Sequence, residues 1–324
     1  MHPSEIQSEH NCSSPNRGSL TNQITYFNRF FIREKYAIEN KHHVMNRKDF
    51  TIGVILYTYN DYEWLEKTLW GYLCQDYHAD EIIIADDGSD DLTDDVIERF
   101  RKRFRQPIKH IKQEGKGDSQ SSILNKAINE AKSKYLIFSE SDCIPRFDFI
   151  SSHIMAAKEG HFLAGGCVPL SHKMSRWLIA EDITHRNAFL LPFMRENGMK
   201  KSFRNLKLSQ NKTFASIMNV ITSTGVSFNK QNSSCWRKDI IKANGFNEKM
   251  KCFGYDHELG ERLSLLGIKP TQVSYTAVCI HLYHEEPNVS KEITEQNKRI
   301  IEEVLKEKSG QTGYGLNSLS MSTE

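Results

Sequence analysis

Several absences narrow the function of this chain before any motif is considered. No Cys-x-x-Cys pair occurs among the seven scattered cysteines. That excludes the usual zinc-binding spacing and a disulfide framework, and it points to reduced thiols in a cytosol. No apolar run approaches the ~20 residues needed to cross a bilayer. A strong excess of one charge sign is also missing: the net charge is +2, which argues against a general nucleic-acid binder. Met1 to Gly18 is polar and has no apolar h-region, so a secretory signal is not expected. A cytoplasmic protein is the expectation, with the inner face of the membrane as the alternative.

What is present is enough apolar sequence for a core, 38% of residues, arranged in alternating short and long periods. Thr51 to Thr58 (TIGVILYT) reads as a strand covered on both faces. A helix to about Cys74 follows, with Trp64, Leu65, Thr68, Leu69, Tyr72 and Leu73 as its buried stripe and Asn60 or Asp61 as its cap. Glu81 to Ala85 is a second strand, Leu92 to Phe104 a helix, Ile108 to Ile111 a third strand and Ser119 to Ala131 a helix. Tyr135 to Phe138 is a fourth strand. This alternation predicts an α/β fold with a Rossmann-like, mostly parallel central sheet flanked by helices.

Two of these strands run into acidic residues. Asp86-Asp87-Gly88-Ser89-Asp90-Asp91 follows the second, and Glu140-Ser141-Asp142 follows the fourth. In open α/β sheets the ligand crevice lies beyond the carboxyl ends of the strands. Carboxylates there can accept from a nucleobase or ribose, or bind a hard divalent cation. The plain alternatives are a polar turn and helix capping, which are assigned to Asp90 and Asp91.

Beyond Pro145 the pattern is mixed. Phe147 to Lys158 is a predicted helix, and His161 to Pro169 holds a strand containing Gly165-Gly166. Asn232 to Lys238 leads into a short helix, and His257 to Leu266 is a strong one with Asp256 at its start. Tyr275 to Ile280 is a last strand, followed by His281-Leu282-Tyr283-His284. Two histidines beside a strand end, in a chain that already offers paired acids, are candidate metal ligands. A helix over Ser290 to Glu307 is predicted near the end. Ile24 to Met45 carries aromatics among basic residues and is expected to be a helix packed on the domain, with a membrane-surface or partner contact as the alternative.

The ordered set of stretches Ile55 to Asn60 with Leu65 to Leu69, Glu81 to Asp90, Tyr135 to Pro145, Asn232 to Phe246 with Gly254 to Leu263, and His281 to Pro287 resembles the family 2 glycosyltransferases, inverting enzymes of the glycosyltransferase A fold. The part from Asn232 resembles the galactosyltransferase-like C-terminal half of chondroitin-polymerase-type and bacterial surface-polysaccharide enzymes. The resemblance implies a transfer of sugar from a UDP-sugar donor to a glycan or lipid-linked oligosaccharide acceptor, with Mn²⁺ or Mg²⁺ as cofactor. It assigns Tyr57, Thr58, Glu63, Asp86, Asp87 and Glu140 to the nucleotide, with Lys116 as a substitute phosphate contact. Asp142 and His284 are the implied metal ligands, with His281 as the alternative to His284. Asp256 is the implied general base, and Tyr255 and Trp236 the implied acceptor contacts. The chain divides on this basis into an N-terminal extension, partly disordered (1–48), a nucleotide-sugar-binding half (49–145), an acceptor-binding and catalytic half (146–308) and a disordered tail (309–324).

Three departures accompany the match. Glu140 stands for the first aspartate of the Asp-x-Asp motif, Tyr255 for the glutamate before Asp256, and Leu124 for an arginine before Asn125. Tyr255 and Leu124 favour a competing reading, a non-catalytic nucleotide- or glycan-binding homologue. A sugar nucleotidyltransferase is disfavoured because Tyr57-Thr58-Tyr59-Asn60 is not the Gly-rich basic loop that grips a triphosphate.

Overall fold

The computed structural model describes residues 50–114, 120–223, 225–285 and 289–317. The expected extension 1–48, Lys116 and the end of the tail lie outside the described residues. Ten strands are present among the described residues: β1 (Ile52–Thr58), β2 (Glu81–Asp86), β3 (Ile108–Lys112), β4 (Tyr135–Glu140), β5 (Cys143–Pro145), β6 (His161–Ala164), β7 (Gly166–Pro169), β8 (Asn232–Trp236), β9 (Lys269–Gln272) and β10 (Val278–His281). Seven join in the order β3-β2-β1-β4-β8-β6-β9, and β5-β10-β7 form a second small sheet. The α/β class and the flanking helices are as the sequence pattern predicts.

β1, β2 and β4 are buried at every residue, which is why they read as unbroken apolar runs rather than alternating ones. β1 pairs in parallel with β2 and β4, and Thr58 meets Asp86 while Tyr57 meets Glu140. That register brings the acidic ends of two strands level with the end of β1. Behind them, Ile123, Leu124, Ala127 and Ile128 of the Gln120–Glu130 helix pack into one core with Ile55, Ile83 and Phe138. Leu124 is therefore a core residue here. On the helix Tyr62–Leu73, Gly71 comes so close to β5 that a β-carbon would stand 2.7 Å from the Pro145 ring.

β8 is the element the sequence hides. Its Asn-Ser-Ser-Cys-Trp reads as a polar approach to a helix, yet it runs antiparallel between β4 and β6. Buried polar groups must be satisfied, and here they satisfy one another. Asn232 Nδ2 donates to the carbonyls of Gly166 and Ala277 at 3.0 Å, so its Oδ1 faces His153 Nε2 at 2.9 Å. His153 Nδ1 then accepts from Ser234 Oγ at 2.8 Å, and Ser234 also meets the Tyr135 hydroxyl at 2.8 Å. The expected strand His161 to Pro169 is divided at Gly165, where a β-carbon would lie 2.1 Å from the Asn232 side chain. Its halves serve different sheets.

Burial, only partly offset by the Asn232 contact, pushes His153 down to about 4. An unfolded chain takes up this proton near 6.5, so stability is expected to fall as pH drops from about 6.5 to about 4. The full linkage is of order 3 kcal/mol. Chemical denaturation at a series of pH values checks this; in a His153→Gln variant that acid-side slope should be absent.

Residues 309–317 correct the expectation of a disordered tail from 309 onward. Leu316 N–H donates to the Asn244 carbonyl at 3.0 Å, Asn244 Nδ2 donates to the Thr312 carbonyl at 2.7 Å, and Leu316 is buried. Polar composition concealed a docking on the carbonyl and side-chain amide of Asn244 that Gly315 permits: a β-carbon there would fall 1.7 Å from the Asn244 carbonyl oxygen.

Candidate active site

The carboxyl ends of β1, β2 and β4 open onto three linked groups of side chains. The first is at β2. Asp86 Oδ1 accepts from the backbone N–H groups of Gly88 and Ser89 at 3.1 and 2.7 Å, and Oδ2 meets His110 Nε2 at 2.9 Å. Burial would raise its carboxyl, but the hydrogen bonds from His110 and Ser89 outweigh burial and hold it below the usual range. Gly88, with φ of 98°, makes the turn that aims both N–H groups back at Asp86. Asp87 is wholly buried and accepts from Gln113 Nε2 at 2.6 Å.

The second group lies in the turn between β4 and β5 and at and beyond the end of β10. Antiparallel pairing sets His281 opposite Cys143, so Asp142 sits beside the imidazole. Asp142 Oδ2 lies 3.2 Å from His281 Nε2 and 3.2 Å from His284 Nε2. The three offer ligand atoms within 4.8 Å of one another. Burial opposes protonation of His281, but Asp142 dominates and pushes it up to about 9. Asp61 faces the same place: burial first, then repulsion from Asp142, raises its carboxyl to about 6, while Ser141 hydrogen-bonds to it. It sits at the N-cap of the Tyr62–Leu73 helix but makes no side-chain cap hydrogen bond there.

The third group joins Glu140 to Asp256. Lys230 Nζ meets Glu140 Oε1 at 2.7 Å, while its backbone N–H donates to Asp256 Oδ2 at 3.0 Å. Burial and then the Asp142 charge raise Glu140 in spite of Lys230. Asp256 stands in the first turn of the helix Tyr255–Leu265, whose N-cap is Gly254, and Oδ1 accepts from the His257 N–H at 2.9 Å. Both oxygens are thus oriented by backbone donors.

Of the residues singled out from sequence, Tyr57, Asp87, Glu140, Asp142, His281 and His284 lie in this neighbourhood, with Asp256 tied to it through Lys230. Tyr57 is near both Asp87 and Glu140 and hydrogen-bonds Gln120. The Thr58 side chain is wholly buried and its hydroxyl has no hydrogen-bond partner among the described residues, while its carbonyl accepts from Asp87 N–H. Glu63 points outward from its helix and meets the Tyr62 hydroxyl at 3.5 Å. Two placements differ from expectation. Trp236 lies at the far end of the sheet against Phe50 and Tyr135, because antiparallel β8 ends where β4 begins. Tyr255 is fully buried, its ring packed on Phe246, so it offers no surface to an acceptor. Lys230, Asp61 and His110 were not found from sequence. Each is a single polar residue in a turn or strand, and only the folded register brings it to the acids.

No helix among the described residues is long and apolar enough to cross a membrane. The family described as Glycosyl transferase family 2 matches residues 53–226. Comparison with curated proteins gives no match. Solved structures similar to this chain include TarS of S. aureus in complex with UDP-GlcNAc, at 15% identity and TM-score 0.53 over 79% of this chain and 66% of that one. Another is the mannosyltransferase PcManGT of Pyrobaculum calidifontis in complex with GDP-Man and Mn²⁺, at 15% identity and TM-score 0.50 over 81% and 67%. A third is GalNAc-T7 with UDP, GalNAc and Mn²⁺, at 12% identity and TM-score 0.54 over 80% and 50%. This chain spans only 39% of the longer solved form of TarS, at 16% identity and TM-score 0.54 over 79% of this chain.

Proposed function

The chain belongs to glycosyl transferase family 2, and from that premise we propose that this glycosyltransferase is metal-dependent and inverting, and moves a sugar from a UDP-sugar to a carbohydrate hydroxyl. The observation that carries the reading is the meeting of Asp142, His281 and His284 beside the strand ends that bear Glu140 and Asp87. The nucleotide sugars in the solved relatives support the donor class. The acceptor, a glycan or lipid-linked oligosaccharide of bacterial surface polysaccharide synthesis, rests on the sequence resemblance.

The donor set fits a cation. One carboxylate and two imidazoles suit Mn²⁺ better than Mg²⁺, which prefers oxygen ligands throughout. Asp142, His281 and His284 would hold it, with Asp142 and His281 giving up the proton they share. When bound, such a cation offsets negative charge on a departing diphosphate. On the sequence resemblance, Asp86 and Asp87 accept from the base or ribose of the nucleotide, exchanging present partners such as His110 and Gln113 to do so. Lys230 offsets Glu140, which would otherwise repel a diphosphate. Asp256 takes the proton of the acceptor hydroxyl as it attacks. A single displacement of this kind inverts the anomeric centre.

Replacing Asp142 by asparagine is expected to weaken Mn²⁺ binding by more than the roughly 10–100-fold that loss of an outer-sphere partner costs. His284→Ala should weaken it by about that amount. Calorimetric titration with Mn²⁺ reads both. The function itself is tested by incubating the protein with a panel of UDP-sugars, Mn²⁺ and candidate acceptors. UDP release that needs metal and acceptor supports transfer. Binding of UDP-sugar with no release under any acceptor supports the non-catalytic homologue, and no thermal shift with any nucleotide sugar overturns both.

A further inference from the structure

Just behind the acid–imidazole cluster lies a group of a different chemistry. Cys143 of β5, Cys279 of β10 and Cys167 of β7 come from the three neighbouring strands of the small sheet. Cys279 pairs in register with Cys167, and His281 with Cys143. Side chains two apart on a strand share a face, as do cross-strand partners. The three thiols and His281 therefore stand on one face, with Cys143 opposite the imidazole and Cys167 and Cys279 one pleat back from it. Cys167 and Cys279 sulfurs are 3.1 Å apart, and all three lie within 4.8 Å of one another. Cys143 and Cys279 are wholly buried and Cys167 is partly exposed, which leaves one approach from outside. None of the three enters the proposed transfer.

Three sulfurs at this spacing can surround a point about 2.3 Å from each, the usual metal–thiolate distance. Thiolates select soft d¹⁰ cations over Mn²⁺ or Mg²⁺. Cysteine spacing in sequence gives no hint of this, because the three are separated by 24 and 112 residues along the chain, as their positions 143, 167 and 279 show. We propose that Cys143, Cys167 and Cys279 form a second metal site, for a thiophilic d¹⁰ cation such as Cu⁺ or Zn²⁺, set behind the Asp142–His281–His284 cluster. Each sulfur that binds releases its thiol proton to solvent. The two sites touch where the Cys143 thiol donates to Asp142 Oδ1 at 3.3 Å. A thiolate there can no longer donate, so filling the sulfur site removes a hydrogen bond from Asp142, a ligand of the oxygen–nitrogen site.

The test uses the full chain, reduced, without oxygen, and saturated with Mn²⁺. Cd²⁺ and then Cu⁺ are titrated in, and thiolate-to-metal charge-transfer absorption is recorded. Wild type is expected to take up one ion per chain with that absorption. Cys167→Ser, Cys167→Ala and Cys279→Ser should each lose at least about tenfold in affinity, as removal of one ligand demands. Circular dichroism shows whether each variant is folded, and partly exposed Cys167 is the tolerant position. His284→Ala should keep the absorption, which separates this site from the metal site of the proposed transfer. The inference is overturned if Cys167→Ser binds Cd²⁺ as wild type does, or if reduced wild type shows no thiolate absorption. A Cys167–Cys279 disulfide that forms in air, with no metal uptake after reduction, also overturns it.

Discussion

Asparagine in place of Asp256 is expected to lower the rate of sugar transfer by about 10²–10⁴, the usual worth of a positioned general base, and to leave UDP and Mn²⁺ binding unchanged. The geometry separates the two effects. Asp256 belongs to the Tyr255–Leu265 helix, whereas the candidate metal ligands come from the β4–β5 turn and the end of β10. Asparagine has the same shape and can keep one of the two backbone hydrogen bonds that orient the side chain. It cannot take a proton at neutral pH. Calorimetry with UDP and single-turnover transfer on the same preparation give both readings. If the variant transfers at the wild-type rate, the base lies elsewhere, and Glu140 becomes the next carboxylate to examine.

Loss of the Arg262 guanidinium should be the most damaging single change to the fold. Arg262 and Glu258 are both wholly buried and pair at 2.7 Å one helical turn apart. Arg262 also donates from Nη2 to the Gly245 carbonyl at 2.7 Å and from Nη1 to the Ala243 carbonyl. It thereby ties the helix carrying Asp256 to the turn on which residues 312–317 dock. Breaking a buried pair by removing one partner costs about 3–5 kcal/mol, because a charge is left alone in a low-dielectric interior. Arg262→Met should lose about that much in urea unfolding. Adding Glu258→Leu should restore part of it but not all, since the two carbonyls remain without their donor. A loss under about 1 kcal/mol in Arg262→Met would mean that the pair is solvated in solution, as exposed pairs are.

The reach of sequence reading differed between the two halves of the chain for a physical reason. In β1, β2 and β4 each residue is buried by its own strand's neighbours, so burial appears directly as an apolar run. The acids at their ends then mark the carboxyl edge. In β8 the residues Asn232 to Cys235 are buried as well, but their polar groups are satisfied by hydrogen bonds to His153, Gly166 and Ala277. Such a strand looks polar from sequence, because its partners are distant. The same holds for residues 309–317, whose docking uses the carbonyl and the side-chain amide of Asn244, a partner far away in the chain. Trp236 was placed near the acceptor because its stretch resembles the family. The antiparallel direction of β8, which no local pattern reveals, sends it to the opposite end of the sheet.

By itself the sequence determined the α/β class and where the first four strands lie along the chain, and it set carboxylates and imidazoles, which can ligate a cation, at strand ends. Composition and period suffice for that, since they record which residues avoid water and which groups can ligate or titrate. Tertiary structure alone decided which groups meet. Pairing of β10 with β5 set His281 beside Asp142, the turn before β8 brought Lys230 between Glu140 and Asp256, and the small sheet gathered three remote thiols. Those distances depend on strand direction and register, which are settled by the whole core at once rather than by any stretch of chain.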